Sequence, residues 1–167
     1  MAANVRIAVQ TADFDVAREY QWLRGSEVAS NGVSACGENG AVVTFTGLVR
    51  ELAEGGLVGM NLEHYPGMTE RALTDIVRQA QQRWPLSRIA VIHRVGFLTL
   101  NEQIVFVGVA SAHRKAAFAA AEFIMDYLKT RAPFWKKEHR EDGAQWVAAK
   151  GSDAQAAEQW DNDNAAS

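Results

Sequence analysis

The chain has 167 residues, a formal net charge of −3, 48% hydrophobic residues and 22% charged residues, which suits one domain with a sizeable core. This mildly acidic balance gives no reason to expect nucleic acid or an anionic membrane as a partner. No apolar run approaches the roughly 20 residues of a membrane helix and the start lacks a secretory signal, so we expect a cytoplasmic protein.

Hydrophobic patterns divide the chain into short strands and three longer helices. Alternating or β-rich runs predict strands at Val5–Val9, Ala41–Val49, Met60–Tyr65, Arg88–Val95, Ile104–Ala112, Phe134–Glu138 and Gln145–Ala149. Apolar residues three and four apart, with caps and prolines at the ends, predict helices at Phe14–Leu23, Met68–Trp84 and Arg114–Arg131. Asp13 or Asp15 is available to cap the first helix.

The order of these elements predicts an α+β protein with a mainly antiparallel or mixed sheet. Gly25–Gly40 and Glu51–Gly59 are rich in glycine and read as loops. We expect a single domain over residues 1–150. Residues 151–167 carry four acidic side chains, no basic ones and little to bury apart from Trp160, so we expect a disordered tail.

The most informative feature is a basic stretch between His113 and Arg140. It has seven basic and three acidic residues, a local charge of +4, so the rest of the chain carries −7. A basic stretch inside an acidic protein is typical of a site for a small anion, although a solvated helix face would give the same pattern.

Two lysines in this stretch are candidates for chemistry. Lys129 lies on the third helix beside apolar residues, and Lys136 follows two aromatic residues just after Pro133. Partial burial and nearby positive charge would lower the pKa of a lysine, which makes it a better base or nucleophile. The simpler interpretation is an exposed Lys136, and a Lys129 paired with Asp126.

Other polar residues suit anion binding better than metal binding. His113 and Arg114 open a helix after an apolar strand, where free N–H groups attract anions, and Arg50 ends a strong strand beside a flexible turn. Each could also be an ordinary surface residue. His93 lies on the apolar face of its predicted strand, and this position predicts a hydrogen-bonded structural histidine. One cysteine and four scattered histidines give no metal-ligand spacing, so we expect neither metal nor cofactor.

Five segments resemble the MoaE family, the large catalytic subunits of molybdopterin synthase. In chain order they are GAVVTFTGLVR (Gly40–Arg50), LEHYPGMTE (Leu62–Glu70), RWPLSRIAVIHRVG (Arg83–Gly96), IVFVGVASAHR (Ile104–Arg114) and FIMDYLKTRAPFWKKE (Phe123–Glu138). The similarity runs from about Val5 to Lys150, nearly the whole folded part.

The resemblance implies an α/β-hammerhead fold with an additional small β subdomain. It implies an enzyme of molybdenum cofactor biosynthesis that transfers sulfur from the C-terminal thiocarboxylate of a small ubiquitin-like subunit to cyclic pyranopterin monophosphate. Two large subunits would form a homodimer within a heterotetramer. A noncatalytic docking module for the ubiquitin-like protein is the alternative, and a persulfide on Cys36 is a third possibility.

The resemblance also assigns residues to the site. The lysine of YLK, Lys129, and the lysine of FWK, Lys136, are implied to be catalytic. Substrate-binding residues would be Arg50, His113, Arg114, Phe45, Met125 and Lys150. His113 and Arg114 are expected to reach in from the neighbouring large subunit. Lys150 lies near a place where relatives can have an arginine, and a lysine would lose bidentate phosphate binding.

Overall fold

The computed structural model describes residues 4–25, 37–148 and 151–163. Cys36, Lys150 and residues 164–167 lie outside these ranges. In chain order the described elements are β1 (Val5–Gln10), α1 (Val16–Arg24), β2 (Ala41–Leu48), β3 (Leu57–His64), α2 (Met68–Arg83), β4 (Arg88–Arg94), β5 (Gly96–Thr99), β6 (Gln103–Ser111), α3 (Arg114–Arg131), β7 (Phe134–Arg140), β8 (Gly143–Val147) and α4 (Gly151–Asp163).

The strands form two four-stranded sheets. The first has the order β1-β4-β6-β2, in which β1 and β4 are parallel and the other neighbours antiparallel. The second has the order β5-β3-β7-β8 and is antiparallel throughout. The predicted α+β class with a mainly antiparallel arrangement is therefore confirmed.

Helices cover both faces of the first sheet because its central strands are apolar on both sides. Val91 and Val107 lie in the cluster that packs against α2 and α3. The alternate residue Phe106 lies on the opposite face, against Trp22 and Leu23 of α1. All five of these side chains are buried. The main core is thus the layer between the first sheet and α2 and α3.

The three predicted helices are confirmed, with small changes at their ends. Asp15 is the cap of α1, and its carboxylate accepts hydrogen bonds from the N–H groups of Ala17 and Arg18 at 2.9 and 3.2 Å. The helix therefore begins at Val16, two residues later than predicted. Trp84 is extended rather than helical, as expected for a residue before proline. No helix in the described ranges is both long and apolar enough to span a bilayer.

One strand was missing from the sequence prediction. Gly96 has a φ of +90°, which turns the chain directly after β4 into β5. This four-residue strand pairs with β3 and forms an edge of the second sheet. Such a short strand carries too few residues for its periodicity to stand out.

The expected disordered tail from Gly151 is corrected over residues 151–163, which form α4. Ala157 is buried, and the Trp160 ring packs against Trp84 and Phe123 with centroids 5.7 and 5.6 Å apart. Trp160 Nε1 also donates to Asp126 Oδ2 at 2.8 Å. The segment has few apolar residues, but they are spaced to reach one groove of the core.

Candidate active site

The N-terminal end of α3 presents cationic side chains beside an open cavity. His113 precedes the helix in an extended conformation, and its side chain makes no capping hydrogen bond. His113, Arg114 and Lys115 are exposed and, with Gly40 and Ala112, line a cavity of about 380 Å³. Free backbone N–H groups and the helix dipole add positive potential here. This end of α3 is suited to bind an anion.

Lys129 lies near the opposite end of α3. Its Nζ is 3.6 Å from Asp153 Oδ1 of α4, and its side chain is 52% exposed. The alternative pairing with Asp126 is not formed, because that carboxylate accepts its hydrogen bonds from α4 residues instead. From Arg114 to Lys129 the helix rises about 22 Å at 1.5 Å per residue. One chain therefore holds the two groups of predicted site cations in separate places.

Lys136 lies on β7, the strand that follows α3. The Phe134 ring at the start of this strand stacks on His93 of β4, with centroids 3.8 Å apart and planes 17° apart. Alternate residues share a face of a strand, so Lys136 lies on the His93 side of β7. Lys137 lies on the other side, with its Nζ 5.4 Å from the centroid of the Trp146 ring. Lys136 is an exposed residue beside the junction of the two sheets.

His93 is the buried histidine that the sequence predicts. Its Nδ1 donates a hydrogen bond to the Arg94 carbonyl oxygen at 2.8 Å. Burial lowers the pKa of His93 to about 4; the hydrogen bond to Arg94 opposes this shift, and the charges of Lys136 and His64 add to it. The ring is therefore neutral at physiological pH.

Arg50 follows β2 at the end of the first sheet where β6 begins. Gly47 of β2 lies opposite Val105, which in turn lies opposite His93 of β4. Val49 is held by backbone hydrogen bonds of 2.9 and 2.8 Å to the turn before β6. Since the residue stacked on His93 comes just after α3, the C-terminal end of that helix returns to this same end of the sheet. The structure thus brings Arg50, Lys129 and Lys136 to one end, and His113 and Arg114 to the other.

The remaining predicted substrate-binding residues have different settings. Phe45 is 43% exposed and shares a face of β2 with Val43, which packs against the cluster containing α3. Met125 of α3 is half-buried against the same cluster. Phe45 offers the more accessible apolar wall, and Lys150 is outside the described residues.

The sequence interpretation missed two neighbours of the candidate lysines. Asp153 was assigned to the tail, although Asp153, Ala156, Ala157 and Trp160 have the three-and-four spacing of a helix face. The contact between His93 and Phe134 has no local signal, because the two residues are 41 positions apart on different sheets. Across the described ranges, no cluster of three or more His, Cys, Asp or Glu side chains could hold a metal ion.

The structure is that of an α+β protein of two sheets with exposed basic residues at both ends of α3. Comparison with known proteins identifies its family. Residues 9–131 match the family model described as MoaE protein. The molybdopterin synthase catalytic subunit of Vibrio cholerae serotype O1 is 54% identical over 158 residues, covering 93% of this chain and 98% of the relative.

Two solved structures share the fold. The molybdopterin biosynthesis MoaE protein of Burkholderia ambifaria is 44% identical with a TM-score of 0.75, covering 93% of this chain and 97% of that one. The complex of subunits 1 and 2 of molybdopterin-converting factor from Helicobacter pylori is 18% identical, with a TM-score of 0.62 and coverages of 88% and 90%. The chain belongs to the MoaE protein family, as the resemblance predicted.

Proposed function

We propose that the chain is the catalytic subunit of molybdopterin synthase. It transfers sulfur from the C-terminal thiocarboxylate of a small ubiquitin-like subunit to cyclic pyranopterin monophosphate, forming the dithiolene of molybdopterin. The observation that carries this proposal is the 54% identity with a catalytic subunit over nearly the whole of both chains, with the basic residues exposed at the two ends of α3.

The charges of the site suit the two anionic reactants. A thiocarboxylate near Lys129 and Lys136 stays ionised, and the same cations stabilise the carboxylate left after sulfur transfer. The phosphate of the pterin suits Arg50, His113 and Arg114, because guanidinium groups bind phosphate bidentately and helix N-termini bind anions. Sulfur arrives on the partner, so the proposed reaction needs no thiol from this chain.

Two copies of the chain are needed to complete one such site. Arg114 and Lys129 are separated by about 22 Å along one rigid helix, too far to contact one small substrate together. A two-fold axis that sets α3 antiparallel to its copy brings the N-terminal end of one helix to the C-terminal end of the other. The edge position of β2 and the exposed apolar side chains of Leu48 and Phe118, 47% and 64% exposed, suit such a contact.

The sulfur-carrying partner is supported by the Helicobacter pylori relative, which was solved as a complex of two subunits. In our proposal, the partner's extended tail enters at the end of the first sheet where Arg50, Lys129 and Lys136 lie. Two large and two small subunits then form a heterotetramer with two sites.

Reconstitution tests the proposed activity. The wild-type chain, mixed with a thiocarboxylated small subunit and cyclic pyranopterin monophosphate, is expected to form the dithiolene product. Lys129→Ala should lower the rate at least about 100-fold because it removes a charge that acts at the reacting tail. Lys137→Ala is the matched control, since Lys137 lies on the opposite face of β7 beside Trp146; it should retain wild-type turnover.

A noncatalytic docking module remains the competing function. It would bind the small subunit with similar affinity in wild type and in the Lys129→Ala variant, and no dithiolene would form with either. Product formation by the wild type would exclude a noncatalytic docking module. Full turnover by Cys36→Ser would exclude a persulfide on Cys36.

A further inference from the structure

A buried imidazole joins the two sheets beside a proposed catalytic lysine. His93 is near the end of β4 in the first sheet, whereas Phe134 begins β7 in the second. Their rings are nearly parallel at a centroid separation of 3.8 Å. His93 is 5% exposed, and its hydrogen bond to the Arg94 carbonyl oxygen fixes the plane of the ring. The buried ring therefore packs directly against the first residue of β7.

The start of β7 is held from a second side as well. Thr69 of α2 is buried and donates a hydrogen bond from its hydroxyl to the Pro133 carbonyl oxygen at 3.1 Å. The same hydroxyl accepts a hydrogen bond from the Tyr65 N–H at 3.1 Å. Pro133 and Phe134 are thus clamped between α2 and β4, two residues before Lys136.

The groups facing His93 are positively charged or can become so. Lys136 lies on the same face of β7 as Phe134, and its charge, like that of His64 on β3, disfavours a proton on the His93 ring. His64 Nε2 lies 3.8 Å from Glu70 Oε1 of α2. A neutral ring is the form that can sit beside the Lys136 ammonium without repelling it.

We propose that His93 is a positioning residue for Lys136: its ring, stacked on Phe134, fixes the start of β7 and with it the direction of the lysine side chain. This inference rests on the proposed function, in which Lys136 acts on the sulfur-bearing tail. A misdirected ammonium group would lower turnover without weakening the docking of the partner, because orientation enters the rate of the reacting step.

Two substitutions separate the stacked ring from its nitrogen atoms. His93→Phe keeps an aromatic ring against Phe134, whereas His93→Leu removes it. His93→Leu should lower kcat about tenfold or more and leave the KM for the thiocarboxylated partner within about twofold, while His93→Phe should stay within about threefold of wild-type kcat.

Acylation of lysines, followed by mass spectrometry, gives a readout that does not depend on activity. Provided that the His93→Leu protein is folded, the labelling rate of its Lys136 should change at least about threefold. The labelling rate of Lys137 should not change, because Lys137 lies on the other face of β7. If His93→Leu does not fold, Phe134→Leu removes the same stack from its half-buried side and should give the same pattern.

Three outcomes would each overturn the positioning role. They are a normal kcat in the folded Leu variants, an unchanged labelling rate of Lys136, and an equal change in the labelling rates of Lys136 and Lys137. So would a His93→Phe variant as slow as His93→Leu, since the nitrogens rather than the stack would then matter. Failure of the proposed function looks different: the wild type makes no dithiolene, while labelling of Lys136 still responds to the loss of the ring.

Discussion

The two ends of α3 have similar positive charge but different neighbours. Among the described residues, His113 and Arg114 form no ion pair, and the cavity beside them is open to solvent. At the other end, Lys129 is 3.6 Å from Asp153 and Arg131 is 2.9 Å from Asp161, both on α4. One end is ready to receive an anion, whereas an anion at the other must compete with carboxylates of the same chain. The first arrangement suits the phosphate of the proposed substrate, and the second suits the tail of the proposed partner.

The largest expected effect comes from combining two variants of the chain, each of which has lost a cation at a different end of α3. Lys129→Ala should be nearly inactive alone, and Arg114→Ala should be slower by about tenfold or more at a pterin concentration well below KM. Mixing them by co-expression should restore about a quarter of wild-type turnover, because about half of the dimers are mixed and each of these has one intact site. The measurement is dithiolene formation by the unselected mixture; dimers isolated through two different affinity tags are all mixed and should reach about half of wild-type turnover.

A mixture of Lys129→Ala with Lys136→Ala is the control for that experiment. Both lysines belong to the same end of one chain, so neither site of the mixed dimer is intact and no activity should return. Recovery in this control, or none in the first mixture, would contradict a site shared between copies.

Removing charge from the open end should weaken phosphate binding by a smaller amount. Arg114→Gln is expected to raise the KM for the pterin phosphate about tenfold or more, since it loses a charge-assisted hydrogen bond. The salt dependence of KM should also decrease. Arg71→Gln, at an exposed arginine on α2, should leave both unchanged.

Acid should destabilise the side of the molecule that supports the C-terminal end of α3. The pKa of His93 falls from its ordinary value of 6.5 to about 4, chiefly because the ring is buried. The unfolded chain binds a proton there first, so the contribution to stability is complete above pH 6.5 and lost as pH falls towards 4. It amounts to about 3 kcal/mol. The free energy of unfolding, measured with urea from pH 7 to pH 4.5, should therefore fall less with pH in His93→Phe than in wild type. An equal fall in the two proteins would count against a buried neutral ring.

The smallest effect is expected at the C-terminal end of α3, where Lys129 pairs with Asp153. Asp153→Asn removes the carboxylate that pairs with Lys129 and would compete with the proposed anionic tail. Because exposed ion pairs contribute about 0.2–1 kcal/mol, the small subunit should bind at most about fivefold more tightly. Titration calorimetry with the thiocarboxylated and the amidated partner measures this, and the gain should be confined to the charged tail. Weaker binding would indicate that Asp153 helps the tail instead.

The sequence by itself determined the three long helices, most of the strands, the α+β class and the basic residues from His113 to Arg140. These depend on local rules: periodicity, capping by Asp15, and prolines that end helices. The family motifs singled out which of the basic residues are candidates for the site. The first sheet's register and the long α3 then explain why His113 and Arg114 lie far from Lys129 in one chain.

Only the tertiary structure decided what surrounds those cations. Asp153 reaches Lys129 because α4 packs Trp160 into a groove beside Trp84, a contact between segments far apart in the chain. His93 meets Phe134 because two separate sheets join at that point. Burial and charge neighbours come from such long-range packing, which no local pattern encodes. The residue types were therefore readable from the sequence, whereas their neighbours and ionisation were not.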